Sequence, residues 1–267
     1  MQLKTARWRW PLVVGAAALA AVPMLHATAD AQSSVRGTRR VTAAPAGQMV
    51  MQTAGRGHME AHPPGHVDGT RFEGRFVIFG MIDGRGQVFG NNASLFDENC
   101  VRSYGRGPQC AHFVAVRSGY ILQGFESGDS TFTGNTVGRT ATSSRVRVYY
   151  DAHPNGTRSY ENRASFLKGK LIGVYTGDET FSIDPRGGVF DTRVDMRLLS
   201  SRWFTYKGHR VNLRQIATHM TELDHGHNPE PDPNPEAIPY KERWFSNRGP
   251  GTFVNRFPVG GAIIAVR

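Results

Sequence analysis

Between Phe190 and Leu198 the chain alternates with a period of two. Phe190, Thr192, Val194, Met196 and Leu198 fall on one face, and Asp191, Arg193, Asp195 and Arg197 on the other. Side chains of a strand point alternately to its two sides, so the first set faces a core and the second faces water. A one-residue slip would bury the charges, so the pattern also holds the register. With LIGVYTGDETFSID before it and PRGG between, this segment predicts a hairpin of two long strands.

Other segments repeat the theme. FEGRFVIFGMI, DGRG and QVF predict a hairpin; HFVAVR, Ser118-Gly119 and YILQGF a second; SRVRVYYDA, HPNGTR and SYENRASF a third, around Asn155-Gly156; TFVNRF and AIIAVR two closing strands. In FEGRFVIFGMI both faces are apolar: Phe76, Ile78 and Ile82 on one side, Val77, Phe79 and Met81 on the other. Such a strand needs cover on both sides. One stretch has the helical period instead. In VNLRQIATHMTELD, Leu213, Ile216, Met220 and Leu223 recur every three or four residues, with Gly226 placed as a C-terminal cap, which predicts an α-helix over about 211–224. Many strands with Gly-containing turns and one helix define a mainly β protein, an antiparallel β-barrel or, alternatively, a β-sandwich.

The first residues have another character. Lys4, Arg7 and Arg9 precede an apolar, Ala-rich run from Leu12 to Leu25, followed by small-x-small sites at Ala27–Ala29 and Ala29–Ala31. That order predicts a signal peptide over 1–31 and a secreted or periplasmic mature protein. The run is shorter than the roughly 20 residues of a membrane-spanning helix. Residues 32–70 are rich in Ala, Gly, Thr, Pro and His and weakly periodic, which predicts a disordered linker before a single β-rich domain over 71–267. His58, His62 and His66 stand four apart in that linker, but Pro63 and Pro64 break any helix that would align them.

Composition narrows the partners. Cys100 and Cys110 are the two cysteines, and in an oxidising compartment this pair predicts a disulfide closing the loop VRSYGRGPQ, worth on the order of 2–3 kcal/mol. A formal net charge of +10 suits anionic surfaces. The arginines are scattered rather than blocked and no nucleic-acid-binding motif is present, which argues against nucleic acid. Arg-Trp-Phe occurs twice, in SRWFTYKG at 201–208 and ERWFSNRG at 242–249, and offers a basic aromatic surface.

Catalytic signatures are scarce. No nucleophile elbow, zincin helix or phosphate loop occurs, and GRGQVFG opens no helix. The one cluster of metal-ligand types is HMTELDHGH, where His219, His225 and His227, with Glu222 or Asp224 beside them, define a candidate site for a divalent transition metal. His112, Tyr149, Tyr150, His153 and Tyr160 are further polar candidates for a barrel mouth. The expected function is a non-catalytic barrel that binds an apolar or amphipathic small molecule or an anionic envelope component. Two alternatives stand beside it: a metal-dependent enzyme at 219–227, and a structural or adhesion protein using its Arg-Trp surface.

Overall fold

Eight antiparallel strand positions close into a barrel in which each strand follows its sequence neighbour around the wall. The computed structural model describes residues 40–60, 71–89, 93–126, 136–140, 144–184, 189–227 and 253–266. The wall comprises β1 (Met49–Glu60), β2 (Arg71–Met81), β3 (Phe113–Glu126), β4 (Thr136–Thr140), β5 (Arg145–Tyr150), β6 (Lys170–Asp184), β7 (Val189–Ser201), β10 (His219–His227) and β11 (Phe253–Val266). β4 and β5 share one position, since both pair with β3 on one side and β6 on the other. β11 pairs with β1 and closes the ring. The short hairpin β8 (Phe204–Tyr206) and β9 (His209–Val211) lies outside the ladder.

The β6–β7 hairpin and the β7 alternation appear as the pattern predicts. Thr192, Val194 and Met196 are buried, while Asp191, Arg193, Asp195 and Arg197 are exposed. Arg193 pairs with Asp195 at 3.2 Å on the outer wall. No helix among the described residues is long and apolar enough to cross a membrane. The outer face of β7 is charged, unlike the apolar band of a bilayer-spanning barrel.

Two expectations are corrected. The segment at 211–224 is not an α-helix: it is a single 3₁₀ turn, Leu213–Gln215, followed by strand β10. Leu213, Ile216 and Met220 are buried, but through a turn and then a strand, and Leu223 points outward with 47% of its surface exposed. Met220, Glu222 and Asp224 face inward instead. The helical stripe holds only if Glu222 and Asp224 are surface residues, and this barrel buries them.

The second correction concerns the leader. Residues 32–70 are not wholly a linker, because Met49–Glu60 is β1, paired on both edges and forming part of the barrel wall. His58, on that strand, is buried, whereas His62 and His66 lie outside the described residues.

Three shorter readings also change. SYENRASF is no strand: it carries a turn and a short helix, Arg163–Phe166, and β5 pairs with β6 instead. HFVAVRSGYILQGF is one strand rather than a hairpin. Gly119, at φ +77°, takes up an extra residue in β3 opposite β2, so the Ser118-Gly119 pair is a β-bulge. TFVNRF and AIIAVR likewise belong to the single strand β11.

An eight-stranded barrel is just wide enough to be filled by side chains. At the end carrying the β2–β3, β5–β6 and β7–β10 connections, Phe89, Phe113, Tyr150, Phe204 and Tyr206 interlock with ring centroids 5.1–5.9 Å apart. The Tyr206 hydroxyl donates to the Ser94 carbonyl, which fastens the β8–β9 hairpin as a plug. Farther in lie Met51, Ile78, Val148, Tyr175 and Met196, around a void of only about 10 Å³.

Candidate functional site

Above that aliphatic layer the interior becomes ionic. The bulge at Gly119 turns both Arg117 and Tyr120 inward, although they are three residues apart on β3. Period two brings Glu222 and Asp224 inward from β10, and Glu179 inward from β6. Arg117 contacts Glu222 at 2.6 Å, donates to Asp224, and lies 4.0 Å from Glu179. Its guanidinium sits 5.0 Å from the Phe76 ring centre. Thr53 donates to the second oxygen of Glu222 at 3.2 Å. Gly177 leaves room for Tyr120: a Cβ there would stand 2.8 Å from the tyrosine hydroxyl.

Three carboxylates face one guanidinium in a dry interior, and the charge balance cannot hold with all of them ionised. Burial pushes Glu179 up to about 7 and Asp224 up to about 8, with neighbouring carboxylates adding to the rise and Arg117 opposing it. Arg117 is held well above its ordinary value, because the three carboxylates outweigh its own burial. Around a single guanidinium, a neutral cluster therefore holds two protons among its three carboxylates. Among the described residues neither oxygen of Glu179 has a hydrogen-bond partner. The void beside this cluster is about the volume of one water, too small for an organic ligand.

The space for a ligand lies outside the barrel wall. A groove of about 420 Å³ runs between Ala54, Val77 and Phe79 on β1 and β2, and Phe96, Arg106, Gly107, Pro108 and Tyr160 on the connections. Its volume is within the usual range of small-molecule sites, roughly 300–1,000 Å³. Phe79 is the extra residue of a β-bulge, since β2 pairs Ile78 with Thr53 and Gly80 with Gln52. The bulge aims its ring outward, leaving it 44% exposed. Outward-facing Val77 on the same strand is buried, so the two apolar faces read from FEGRFVIFGMI receive their cover unequally.

The opposite wall is cross-linked. Cys100, on helix α1 (Glu98–Tyr104), is bonded to Cys110, which closes the loop that carries Arg106 and Pro108. Asp97 caps α1 by accepting from the Cys100 N–H at 2.8 Å. Arg158, itself buried, donates to the carbonyls of Pro108 and Ala111 at 2.8 Å each. Tyr160 stacks on Phe166 with centroids 5.3 Å apart, and its hydroxyl donates to the Ala54 carbonyl at 3.2 Å. Burial raises that hydroxyl to about 12. Two cations border the apolar lining: Arg106, 5.5 Å from the Phe96 ring centre, and Arg56, 5.9 Å from that of Tyr160.

The histidine candidates sit elsewhere. On β10 the odd-numbered positions face outward, so His219 and His225 lie on the outer wall with five residues of strand between them in register. The His225 ring pairs with Asp191 at 2.7 Å. Glu222 and Asp224, considered as their companions, point the opposite way into the barrel. The side chain of His227 lies outside the described residues. Among the described residues no group of three His, Cys, Asp or Glu side chains converges on a metal position.

The barrel-mouth candidates are also dispersed. His112 bonds the Asp151 carbonyl at 2.8 Å and is shifted down by burial, and Tyr150 packs in the aromatic plug. Tyr160 alone among them lines the groove. No protein-family model, no curated protein and no solved structure matches the chain.

Proposed function

We propose that this protein is a secreted or periplasmic, non-catalytic binding barrel whose ligand lies in the outer groove. The ligand class is an amphipathic molecule with an apolar body and an anionic group. The observation that carries the reading is the half-exposed Phe79, aimed by its bulge into a groove bordered by Arg106 and Arg56. The apolar body rests on Phe79, Val77, Phe96 and Pro108, and the anionic group meets Arg106. Pinning of the Arg106 loop by the disulfide keeps the site preformed, which lowers the ordering cost of binding. The disulfide also suits an oxidising compartment.

Calorimetric titration with dodecanoate tests this. The expected result is saturation at one per chain. Phe79→Asp removes an apolar contact worth on the order of 1–2 kcal/mol, so affinity falls about tenfold or more. Arg106→Gln weakens it several-fold, and more so at low salt. Absence of saturable binding, or equal affinity in both variants, would refute the proposal.

A further inference from the structure

We infer that the rim of the barrel around Trp203 is a docking surface for an anionic lipid bilayer. The rim begins in the sequence. Residues 162–177 and 196–221 contain no Asp or Glu, yet between them carry Lys168, Lys170, Arg202, Lys207, Arg210 and Arg214. The fold gathers these stretches at the connection end. Lys170 at the start of β6 donates from Nζ to the Trp203 carbonyl at 2.6 Å, and the Arg202 N–H reaches the Ile172 carbonyl at 2.9 Å. Arg210 sits opposite Thr205 in the β8–β9 hairpin, with its guanidinium 4.8 Å from the Trp203 ring centre. Lys207 stands at the hairpin turn and marks the edge of the patch, where its charge is felt by Asp97.

Trp203 is the second observation. Its neighbours Phe204 and Tyr206 are buried in the plug, but Trp203 is held 45% exposed against Arg210. An indole presented among Lys and Arg is the amphipathic group that settles at the headgroup level of a bilayer. Each cation near an anionic leaflet strengthens partitioning about fivefold. The disulfide suits an oxidising compartment, where a lipid surface is a commoner polyanion than nucleic acid. The inference is independent of the groove and involves none of its residues.

Co-sedimentation of the full chain with phosphatidylcholine vesicles, with or without about 30% phosphatidylglycerol, reads it directly. The expected result is binding to the anionic vesicles at least tenfold stronger than to neutral ones, lost at high salt. Lys4, Arg7 and Arg9, ahead of the apolar run at 12–25, also favour anionic vesicles, so the rim is read from the share of the difference that substitutions at the rim remove. Lys168→Glu with Arg210→Glu lowers the difference about tenfold or more, and Trp203→Ser lowers it several-fold. Lys168 makes no hydrogen bond or ion pair among the described residues, so Lys168→Glu alone leaves the fold intact and still weakens binding about fivefold or more. Phe79→Asp leaves vesicle binding unchanged. Equal binding to both vesicle types, no binding to either, or unchanged binding in the charge reversals overturns the inference. So does a single-stranded oligonucleotide that binds through these residues while the anionic vesicles do not.

Discussion

Replacing Glu179 by Gln changes one buried atom and removes one titration. Glu179 is buried, its nearest cationic nitrogen is 4.0 Å away, and it holds its proton up to about pH 7. In the unfolded chain it titrates near 4.5. The folded state therefore binds the proton more tightly, and stability from this group is complete below about pH 4.5 and lost as pH rises through about 7. The interval corresponds to roughly 3 kcal/mol. Asp224, raised to about 8, works in the same direction. His112, lowered by burial, works in the opposite one and adds stability as pH rises toward 6.5. Urea unfolding of wild type and Glu179→Gln at pH 5, 6, 7 and 8 isolates the glutamate, because His112 cancels in the difference. The variant is expected to gain on wild type as pH rises, by up to roughly 3 kcal/mol at pH 8. A difference that stays constant with pH, or reverses sign, would show that Glu179 is ionised in the folded barrel throughout.

Further substitutions probe other parts of the molecule. Met220→Ala should cost about 2–5 kcal/mol in unfolding experiments, while Leu223→Lys should change stability by about 0.5 kcal/mol or less, because β10 buries the first and exposes the second. An amphipathic helix at 211–224 would be damaged by both. Gly119→Val should destabilise by about 1–3 kcal/mol, since φ +77° strains a β-branched residue and the bulge directs Arg117 into the barrel. Replacing Cys100 and Cys110 by Ser should lower stability by on the order of 2–3 kcal/mol and weaken dodecanoate binding by loosening the Arg106 loop, measured by thermal melting and calorimetry.

Much of the wall was legible because its periodicity is local. The β7 alternation depends only on which positions face the barrel, and Asp191 to Arg197 report that without help from elsewhere. The Cys100–Cys110 bond is likewise legible locally, because these are the two cysteines of the chain and stand at loop spacing. β10 carries a helical pattern for a non-local reason. Glu222 and Asp224 occupy the core side because Arg117 receives them from a strand more than a hundred residues upstream. Without that partner, the helical spacing of Leu213, Ile216, Met220 and Leu223 is the stronger local signal. β1 was hidden by composition: Gly55, Gly57 and His58 resemble a linker until strands on both sides are known. In β3, Ser118-Gly119 has the chemistry of a turn and serves as a bulge. The groove draws on four separated segments, so no motif could announce it. Its one local trace was Phe79, on the second apolar face of FEGRFVIFGMI.

The groove itself can be seen directly in a crystal structure of the protein grown with dodecanoate. The alkyl chain should lie along Phe79, Val77 and Phe96, with the carboxylate within about 3 Å of the Arg106 guanidinium. A ligand found inside the barrel or on another surface, or a groove left empty at saturating dodecanoate, would contradict the binding reading.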